Sequence, residues 1–290
     1  MLEGQRRMLL ETRAHTPSAV AAAAAGRRRR PWLGPSGRLM VIAADHPARG
    51  ALGVGERPMA MANRFELLDR IMVALARPGV DGVLGTADVI EDLLLLGALD
   101  GKLAIGSMNR GGLPGSVFEM DDRFTGYTAP AIADGGLDGG KMLLRMDPDN
   151  PATVATIASC AEAAGELAAR QIRAIIEPFM VKRVDGRAVN DLGADAVIRS
   201  IAIASGLGAT SAYSWLKIPV VDDMERVAEA STLPTLLLGG DAGDRPDEMF
   251  TRWQKALQLP VVRGLVVGRN LLYPPGDDVA AAVDTAVSLL

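Results

Sequence analysis

The sequence predicts an α/β fold, a single closed barrel preceded by a short helical N-terminal extension. Between residues 38 and 290, short apolar runs that end in Gly, Asp or Pro alternate with longer segments of helical periodicity. Eight such strands can be counted, seven of them followed by a recognisable helix. Strands that alternate with helices indicate a parallel sheet with right-handed crossovers. Eight units in ~250 residues favour a (β/α)8 TIM barrel over an open sheet.

The individual elements follow from their apolar periodicity. Strands are expected at 39–44, 82–85, 102–106, 141–145, 173–177, 211–218, 235–239 and 264–268. Helices are expected at 65–75, 89–96, 152–170, 194–204, 222–230, 246–257 and 277–289. A doubly wound sheet is the alternative, but no Gly-x-Gly-x-x-Gly follows the first strand, as a dinucleotide fold would require. Residues 1–37 are interpreted as a basic extension and residues 38–290 as the catalytic barrel domain.

The composition excludes several kinds of site and partner. One cysteine, Cys160, cannot form an intrachain disulfide or a thiolate cluster, and two distant histidines cannot build a multi-histidine metal cage. A net charge of −4 argues against nucleic acid as a partner. No apolar run approaches the ~20 residues that span a membrane, and the arginines at 27–30 follow the alanine-rich stretch, unlike in a secretory signal. We expect a cytoplasmic protein without metal, cofactor, nucleic-acid partner or membrane contact.

Catalytic candidates lie where the predicted strands end, because barrel enzymes place their active sites at that face. The chain has only five lysines. Side chains alternate across a strand, so Met142 and Leu144 of the fourth strand suit the helix-facing side and Lys141 points into the barrel. By the same alternation, Glu177 of the fifth strand and Lys217 of the sixth are expected inside the barrel.

These three charged side chains would share an apolar interior. Burying a lysine is costly unless it is paired or neutral. A desolvated lysine beside another cation has a lowered pKa, and its free amine is a nucleophile towards carbonyls, as Schiff-base chemistry requires. A purely structural salt bridge, Lys141–Glu177–Lys217, is the simpler interpretation. Two lysines with one glutamate at neighbouring strand ends favour the catalytic one.

A second group of residues predicts a phosphate site. Barrels often bind phosphate with the loops after strands seven and eight, and these carry Gly239-Gly240 and Gly268-Arg269. Glycines let backbone N–H groups approach the oxygens, and an arginine supplies a bidentate cation. Ordinary tight turns are the alternative interpretation of these glycines.

Other polar residues at strand ends are weaker candidates. Asp45 ends the first strand, with His46 and Arg49 in the loop behind it, and Ser107 ends the third. We expect Arg49 and Ser107 to contact substrate, while His46 suits a substrate contact or a structural hydrogen bond equally. The arginine run at 27–30 is expected to form a solvated or subunit-contacting surface.

Several segments in chain order resemble the class I, Schiff-base aldolases of the (β/α)8 type, in particular the group that contains tagatose 1,6-bisphosphate aldolase and sulfofructose-phosphate aldolase. The similar segments are 43–52, 125–127, 141–145, 177–178, the strand that ends at residue 217, 239–240 and 267–270. The resemblance implies that Lys217 forms the Schiff base, with Lys141 and Glu177 as catalytic neighbours. It also implies that Asp45 assists at the carbonyl and that Gly240 and Arg269 hold phosphate.

The whole chain is also similar to an actinobacterial aldolase-like group linked to inositol catabolism. That similarity implies cleavage of 5-dehydro-2-deoxy-6-phosphogluconate to dihydroxyacetone phosphate and malonate semialdehyde. His46-Pro47 and the basic extension depart from the aldolase pattern and leave the substrate open. The expected partner is a phosphorylated sugar or keto-acid, and the expected assembly is a homo-oligomer.

Two other functions use the same residues. A phosphosugar isomerase or epimerase would use Glu177 as a base and Lys141 as an electrophile, without a covalent intermediate. A phosphosugar-binding sensor would keep the pocket and catalyse nothing. Both alternatives predict binding of a phosphorylated ligand, so only chemistry at the lysines separates them from an aldolase.

Overall fold

The structure, a computed structural model, describes residues 1–240 and 246–290. Its strands are β1 (Leu39–Ala43), β2 (Gly82–Gly85), β3 (Leu103–Ser107), β4 (Gly139–Met146), β5 (Arg173–Val184), β6 (Arg187–Asn190), β7 (Ser214–Ile218), β8 (Thr235–Leu238) and β9 (Val262–Val267). All of them except β6 run parallel, in the order β4-β3-β2-β1-β9-β8-β7-β5, and β5 pairs back onto β4. The sheet therefore closes, and the predicted eight-stranded barrel is confirmed.

Helices cover the outside of the barrel. They are α1 (Glu3–His15), α2 (Ala19–Gly26), α3 (Arg64–Leu75), α4 (Ala87–Leu95), α5 (Ala129–Asp134), α6 (Ala152–Ala169), α7 (Ala194–Ser205), α8 (Met224–Ala228), α9 (Pro246–Ala256), α10 (Arg269–Leu272) and α11 (Val279–Val287). Side-chain caps begin some of them: Asn63, Thr128 and Asp278 each accept a hydrogen bond from a backbone N–H of the first turn. Within the described residues, no helix is long and apolar enough to cross a membrane.

The alternation of side chains along each strand produces two separate cores. In β1, Leu39, Val41 and Ala43 face the barrel interior, while Met40 and Ile42 pack against the surrounding helices. Among the described residues, the interior core consists of eleven: Trp32, Leu39, Val41, Ala43, Leu84, Leu103, Ile105, Ile175, Trp215, Leu236 and Val266. Both faces of β1 are buried, and the strand's period of two separates the side chains of one core from those of the other.

The structure differs from the prediction between β5 and α7. The fifth strand continues to Val184 and turns back as β6, which pairs with it antiparallel. The turn is Asp185-Gly186, with φ of 49° and 76°. Two consecutive positive φ values are typical of a two-residue hairpin, and Asp-Gly is its usual sequence signal. The extra hairpin lies beyond the barrel proper, and Ala188, Val189 and Asn190 of β6 line the cavity at the carboxyl ends of the strands.

Two further boundaries were predicted incorrectly. The long loop after β3 ends in a short helix, α5, which the sequence analysis did not include. The strand that carries Lys217 begins at Ser214, because residues 211–213 form a turn whose Ser211 carbonyl accepts the Ser214 N–H. Neither difference moves the carboxyl ends of the strands, so the predicted site is unaffected.

The arginine run at 27–30 binds the barrel itself. Arg27 and Arg29 both form ion pairs with Asp138, with N–O distances of 3.1 and 2.9 Å, and Arg30 pairs with Asp81. The Arg27 side chain is only 3% exposed. The expectation of a solvated or subunit-contacting surface is therefore wrong for Arg27 and Arg30, because carboxylates just before β2 and β4 neutralise them. Sequence alone did not reveal these long-range partners.

Candidate active site

A cavity of about 440 Å³ opens at the carboxyl ends of the strands. Its walls include nine of the ten predicted site residues: Asp45, Arg49, Lys141, Glu177, Lys217, Gly239, Gly240, Gly268 and Arg269. The parallel barrel brings these residues together because every strand ends at the same face. Asp241, which follows Gly240 in the loop after β8, lies outside the described part of the chain.

Glu177 lies between the two inward-facing lysines. Lys217 Nζ is 2.8 Å from Glu177 Oε1, and Lys141 forms an ion pair with the other oxygen, Oε2. All three side chains are at least nine-tenths buried. Their strands, β4, β5 and β7, are neighbours in the barrel, so the predicted inward orientation is confirmed for each.

Burial and charge shift the pKa values of Glu177 and Lys141. Burial alone would raise the pKa of Glu177, but the charges and hydrogen bonds of Lys141 and Lys217 outweigh it and hold that pKa well below its usual range. Burial lowers the pKa of Lys141 well below its ordinary value, and the nearby cations Arg110 and Lys217 add to the effect against the opposing Glu177. Glu177 is therefore a carboxylate that can accept a proton.

Asp45 forms a second buried carboxylate next to Lys141. Its Oδ2 lies 3.3 Å from Lys141 Nζ, accepts a hydrogen bond of 3.1 Å from Ser107 Oγ, and forms an ion pair with Arg110. Ser107 is fully buried and does not line the cavity, so the prediction that it contacts substrate is replaced by a supporting role. Lys141 is thus held by two carboxylates, Asp45 and Glu177.

The loops after β8 and β9 form one end of the cavity. Asn270 Nδ2 donates to the Gly239 carbonyl at 3.1 Å and so joins the two loops. Gly240 has a φ of 72°, a conformation that favours glycine. A Cβ added to Gly268 would lie 2.2 Å from the Ala43 carbonyl, so close packing against β1 alone already requires glycine there. The Arg269 side chain completes this end of the cavity.

Three arginines lie at the opposite end. In the closed barrel, β3 and β4 stand across from β8 and β9. Arg49 donates to the Gly112 carbonyl at 2.6 Å, Arg145 Nε donates to Asn190 Oδ1 at 3.0 Å, and both also pair with carboxylates. Burial lowers the pKa of Arg110 to about 10, against the opposing effects of Glu177 and Asp122, so its guanidinium stays charged at neutral pH. Its Nε is buried and meets no acceptor in the described regions.

Sequence reasoning missed part of this arginine-rich end. Arg110 and Glu119 come from the long loop after β3, and Asn190 comes from the β5–β6 hairpin. No periodicity places loop residues over a cavity, so there was no local signal for the first two. The Asp185-Gly186 turn could have revealed the hairpin and, with it, Asn190.

His46 borders the cavity beside the Arg269 end. Burial, together with the charges of Arg269 and Lys217, lowers its pKa from 6.5 to about 3. Its Nδ1 lies 4.0 Å from Asp45 Oδ1, too far for a hydrogen bond. The side chain is therefore neutral at physiological pH. Across the described residues, no group of three or more His, Cys, Asp or Glu side chains could hold a metal ion.

Comparison with known proteins assigns the family. The family model described as Cgl0159-like matches residues 37–287, nearly the whole barrel. The chain belongs to the Cgl0159-like family. The crystal structure of Cgl0159 from Corynebacterium glutamicum is 55% identical, with a TM-score of 0.98, and the match covers 100% of this chain and 97% of that one. A comparison with curated protein sequences finds no match.

More distant solved structures share the fold of the Cgl0159-like family. An archaeal fructose-1,6-bisphosphate aldolase, solved with its catalytic Lys covalently bound to the carbinolamine intermediate of its substrate, is 16% identical with a TM-score of 0.65, covering 93% of this chain and 98% of that one. The fructose-bisphosphate aldolase from Slackia heliotrinireducens is 15% identical with a TM-score of 0.60, covering 99% and 91%. At these identities the likeness concerns the barrel fold, which aldolases of this class share.

Proposed function

We propose that this member of the Cgl0159-like family is a class I aldolase, a carbon–carbon lyase whose Schiff base forms on Lys217. The observation that supports the proposal is the buried Glu177 carboxylate between two lysine amines, 2.8 Å from Lys217 Nζ. A nucleophilic amine beside a proton acceptor, inside a desolvated cavity, is what Schiff-base catalysis needs. The shared fold with Schiff-base aldolases agrees with this assignment.

Lys217 is the better nucleophile of the two lysines because it is less constrained. Among the described residues, Lys141 forms ion pairs with both Asp45 and Glu177, whereas Lys217 forms one with Glu177. Lys217 also stands on β7, beside β8 and its Gly239-Gly240 loop. A ketone at Lys217 would therefore have its phosphate within reach of the loops after β8 and β9.

The reaction would proceed by addition and elimination at the ketone. The Lys217 amine adds to the carbonyl carbon, and the carbinolamine loses water to give an iminium ion. Asp45 would hold and return the protons exchanged at the carbonyl oxygen. No external electron acceptor is required, because the iminium nitrogen takes up the electron pair of the bond that breaks.

Cleavage would then use Glu177 as the base. Glu177 takes the proton of the hydroxyl on the carbon beyond the breaking bond, that carbon becomes an aldehyde, and the carbon–carbon electron pair forms an enamine on Lys217. Protonation of the enamine carbon and hydrolysis of the iminium release dihydroxyacetone phosphate and the free amine. Lys141 would keep Glu177 ionised and oriented, as its ion pair with Oε2 supports.

The cavity has cationic side chains at both ends, which favours a substrate with an anionic group at each end. Gly239, Gly240, Gly268 and Arg269 would bind phosphate, and Arg49 would bind at the far end with Arg110. Glu119 and Asp122 already neutralise part of that far end, which suits a singly charged carboxylate better than a second phosphate. A phosphorylated keto-acid such as 5-dehydro-2-deoxy-6-phosphogluconate, of inositol catabolism, has this pattern of charge.

Borohydride trapping tests the proposed covalent step. The protein is incubated with dihydroxyacetone phosphate and reduced, and its intact mass is measured; we expect one adduct per chain, abolished in Lys217→Met and retained in Lys182→Met, an exposed lysine outside the cavity. An unchanged mass in the wild type would overturn the Schiff-base assignment. Turnover of a phosphosugar without an adduct would indicate an isomerase or epimerase, and binding without turnover a sensor.

A panel of phosphorylated ketoses and keto-acids, assayed for release of dihydroxyacetone phosphate, identifies the substrate. We expect the phosphorylated keto-acid to be cleaved with the highest kcat/KM. A higher kcat/KM for a bisphosphate would contradict the assignment of a carboxylate to the arginine-rich end.

A further inference from the structure

Trp32, contributed by the N-terminal extension, belongs to the core inside the barrel. It is the only member of that eleven-residue core that does not come from a strand. Trp32 is 7% exposed, and its ring meets the Trp215 ring edge-on, with 5.5 Å between the centroids. The extension thus closes the barrel at the face opposite the cavity.

The strands that Trp32 touches are those that carry the lysine–glutamate trio. Trp215 precedes Lys217 by two residues on β7 and shares its inward face. A Cβ added to Gly139, two residues before Lys141 on β4, would lie 3.5 Å from the Trp32 ring. The guanidinium of Arg173, at the start of β5 and four residues before Glu177, lies over the ring at 5.6 Å from its centroid.

Strand pairing makes these contacts one continuous stack. Gly139 pairs with Arg173, Lys141 with Ile175, and Ile175 in turn with Trp215. Leu143 and Glu177 form the next layer above. A single side chain below the stack therefore supports the three strands at the level directly beneath the charged groups, where close-packed interiors transmit displacement.

Hydrogen bonds attach the N-terminal extension to the barrel on both sides of Trp32. Arg27 donates to the Lys102 and Gly136 carbonyls as well as to Asp138, and Arg38 donates to the carbonyls of Leu257 and Leu290. Asp138 additionally accepts the backbone N–H of Ala104 on β3. These bonds attach the segment before Trp32 to residues just before β3 and β4, and the segment after it to residues that follow α9 and α11.

We propose that Trp32 is a positioning residue for the active site, holding Lys141, Glu177 and Lys217 in register from the opposite end of the barrel. The inference rests on the proposed function for its consequence in catalysis. Loss of the ring would leave a void beneath Trp215 and Gly139 and let β7 and β4 settle into it. Misplacement of reacting groups by about 1 Å is enough to reduce a rate on the order of 100-fold.

The test compares Trp32→Phe and Trp32→Ala with Trp253→Phe. Trp253 is a buried tryptophan of α9 that packs edge-on against Phe250 in the outer core, away from the trio. For each variant we would measure kcat, KM and the rate of borohydride trapping at Lys217. We would also label the lysine amines with trace acetic anhydride at a series of pH values and measure the labelling of each lysine by peptide mass. Labelling needs no turnover, so it reports on the trio whatever the reaction.

In Trp32→Ala we expect kcat and the trapping rate to fall about 10- to 100-fold, with KM changed less than about 2-fold. In Trp32→Phe both rates should recover in part, and in Trp253→Phe both should stay near the wild-type values. The labelling profile of Lys141 should move to higher pH in Trp32→Ala as water reaches it. A folded Trp32→Ala or Trp32→Phe protein with wild-type labelling of Lys141 and Lys217 would overturn the positioning role. A wild type that forms no adduct would overturn only the aldolase assignment, since labelling would still decide the role of Trp32.

Discussion

Lys217 and Glu177 lie on adjacent strands of the barrel with 2.8 Å between Nζ and Oε1, and both are at least nine-tenths buried. The second oxygen of Glu177 pairs with Lys141. A carboxylate that accepts from two amines remains ionised in a desolvated cavity, as the low pKa of Glu177 indicates. Under the proposed function, Lys217 would be the nucleophile and Glu177 the base.

Glu177→Gln should separate binding from cleavage. The amide preserves the shape and can still accept from one lysine, but it cannot take the substrate proton. We expect kcat for carbon–carbon cleavage to fall by about 10²- to 10⁴-fold, the range for loss of a general base, while the borohydride adduct with dihydroxyacetone phosphate still forms. Glu166→Gln, an exposed change on α6, is the matched control. Full cleavage activity in Glu177→Gln would rule out this residue as the base.

Arg269→Gln should weaken binding of the phosphate end alone. Charge-assisted hydrogen bonds contribute about 1.5–3 kcal/mol, so KM should rise about 10- to 100-fold for the phosphorylated substrate. Arg263→Gln, an exposed change near the start of β9, the strand that precedes Arg269, should leave KM unchanged. Steady-state kinetics with phosphorylated and dephosphorylated substrates make the comparison. An equal loss for both substrates would contradict a phosphate contact.

His46→Asn should make the protein less sensitive to acid. Burial and nearby cations lower the pKa of folded His46 to about 3, against 6.5 ordinarily. Between these values the unfolded chain binds the proton and the folded chain does not, so wild-type stability falls as the pH drops from 6.5 towards 3. As the pH drops from 6.5 towards 3, we expect the unfolding free energy of His46→Asn to rise relative to that of the wild type.

Urea denaturation at pH 7, 6, 5 and 4 measures this effect. His15→Asn, at the exposed end of α1, is the natural control because the chain has only two histidines. A constant offset between His46→Asn and wild type at every pH would show that His46 is not held neutral by its surroundings.

Asp138→Asn should loosen the N-terminal extension. Asp138 is buried, forms ion pairs with Arg27 and Arg29, and accepts a hydrogen bond from the Ala104 N–H. Removing one partner from a buried ion pair costs about 3–5 kcal/mol, so thermal or urea unfolding should shift markedly. Asp100→Asn breaks only the exposed pair with Arg28 and should cost less than about 1 kcal/mol. Similar losses in the two variants would mean that Asp138 does not hold the extension.

The fold and the trio were predictable because their signals are local. Alternation along β4 placed Lys141 inside the barrel, and the position of Glu177 and Lys217 at strand ends placed them at the carboxyl face. A parallel barrel leaves those side chains no other place to meet. Ser107 shows the limit of this reasoning, since a strand-end position is compatible with lining the cavity or with supporting Asp45 beneath it.

The sequence by itself determined the alternation of strands and helices and the inward face of the strands that carry Lys141, Glu177 and Lys217, because periods of 2 and 3.6 are read from consecutive residues. Only the tertiary structure decided that Arg110 and Asn190 line the cavity, that Arg27 pairs with Asp138, and that Trp32 closes the barrel beneath Lys217. Those contacts join segments far apart in the chain, and no local pattern specifies which distant partner a loop or terminal residue will meet.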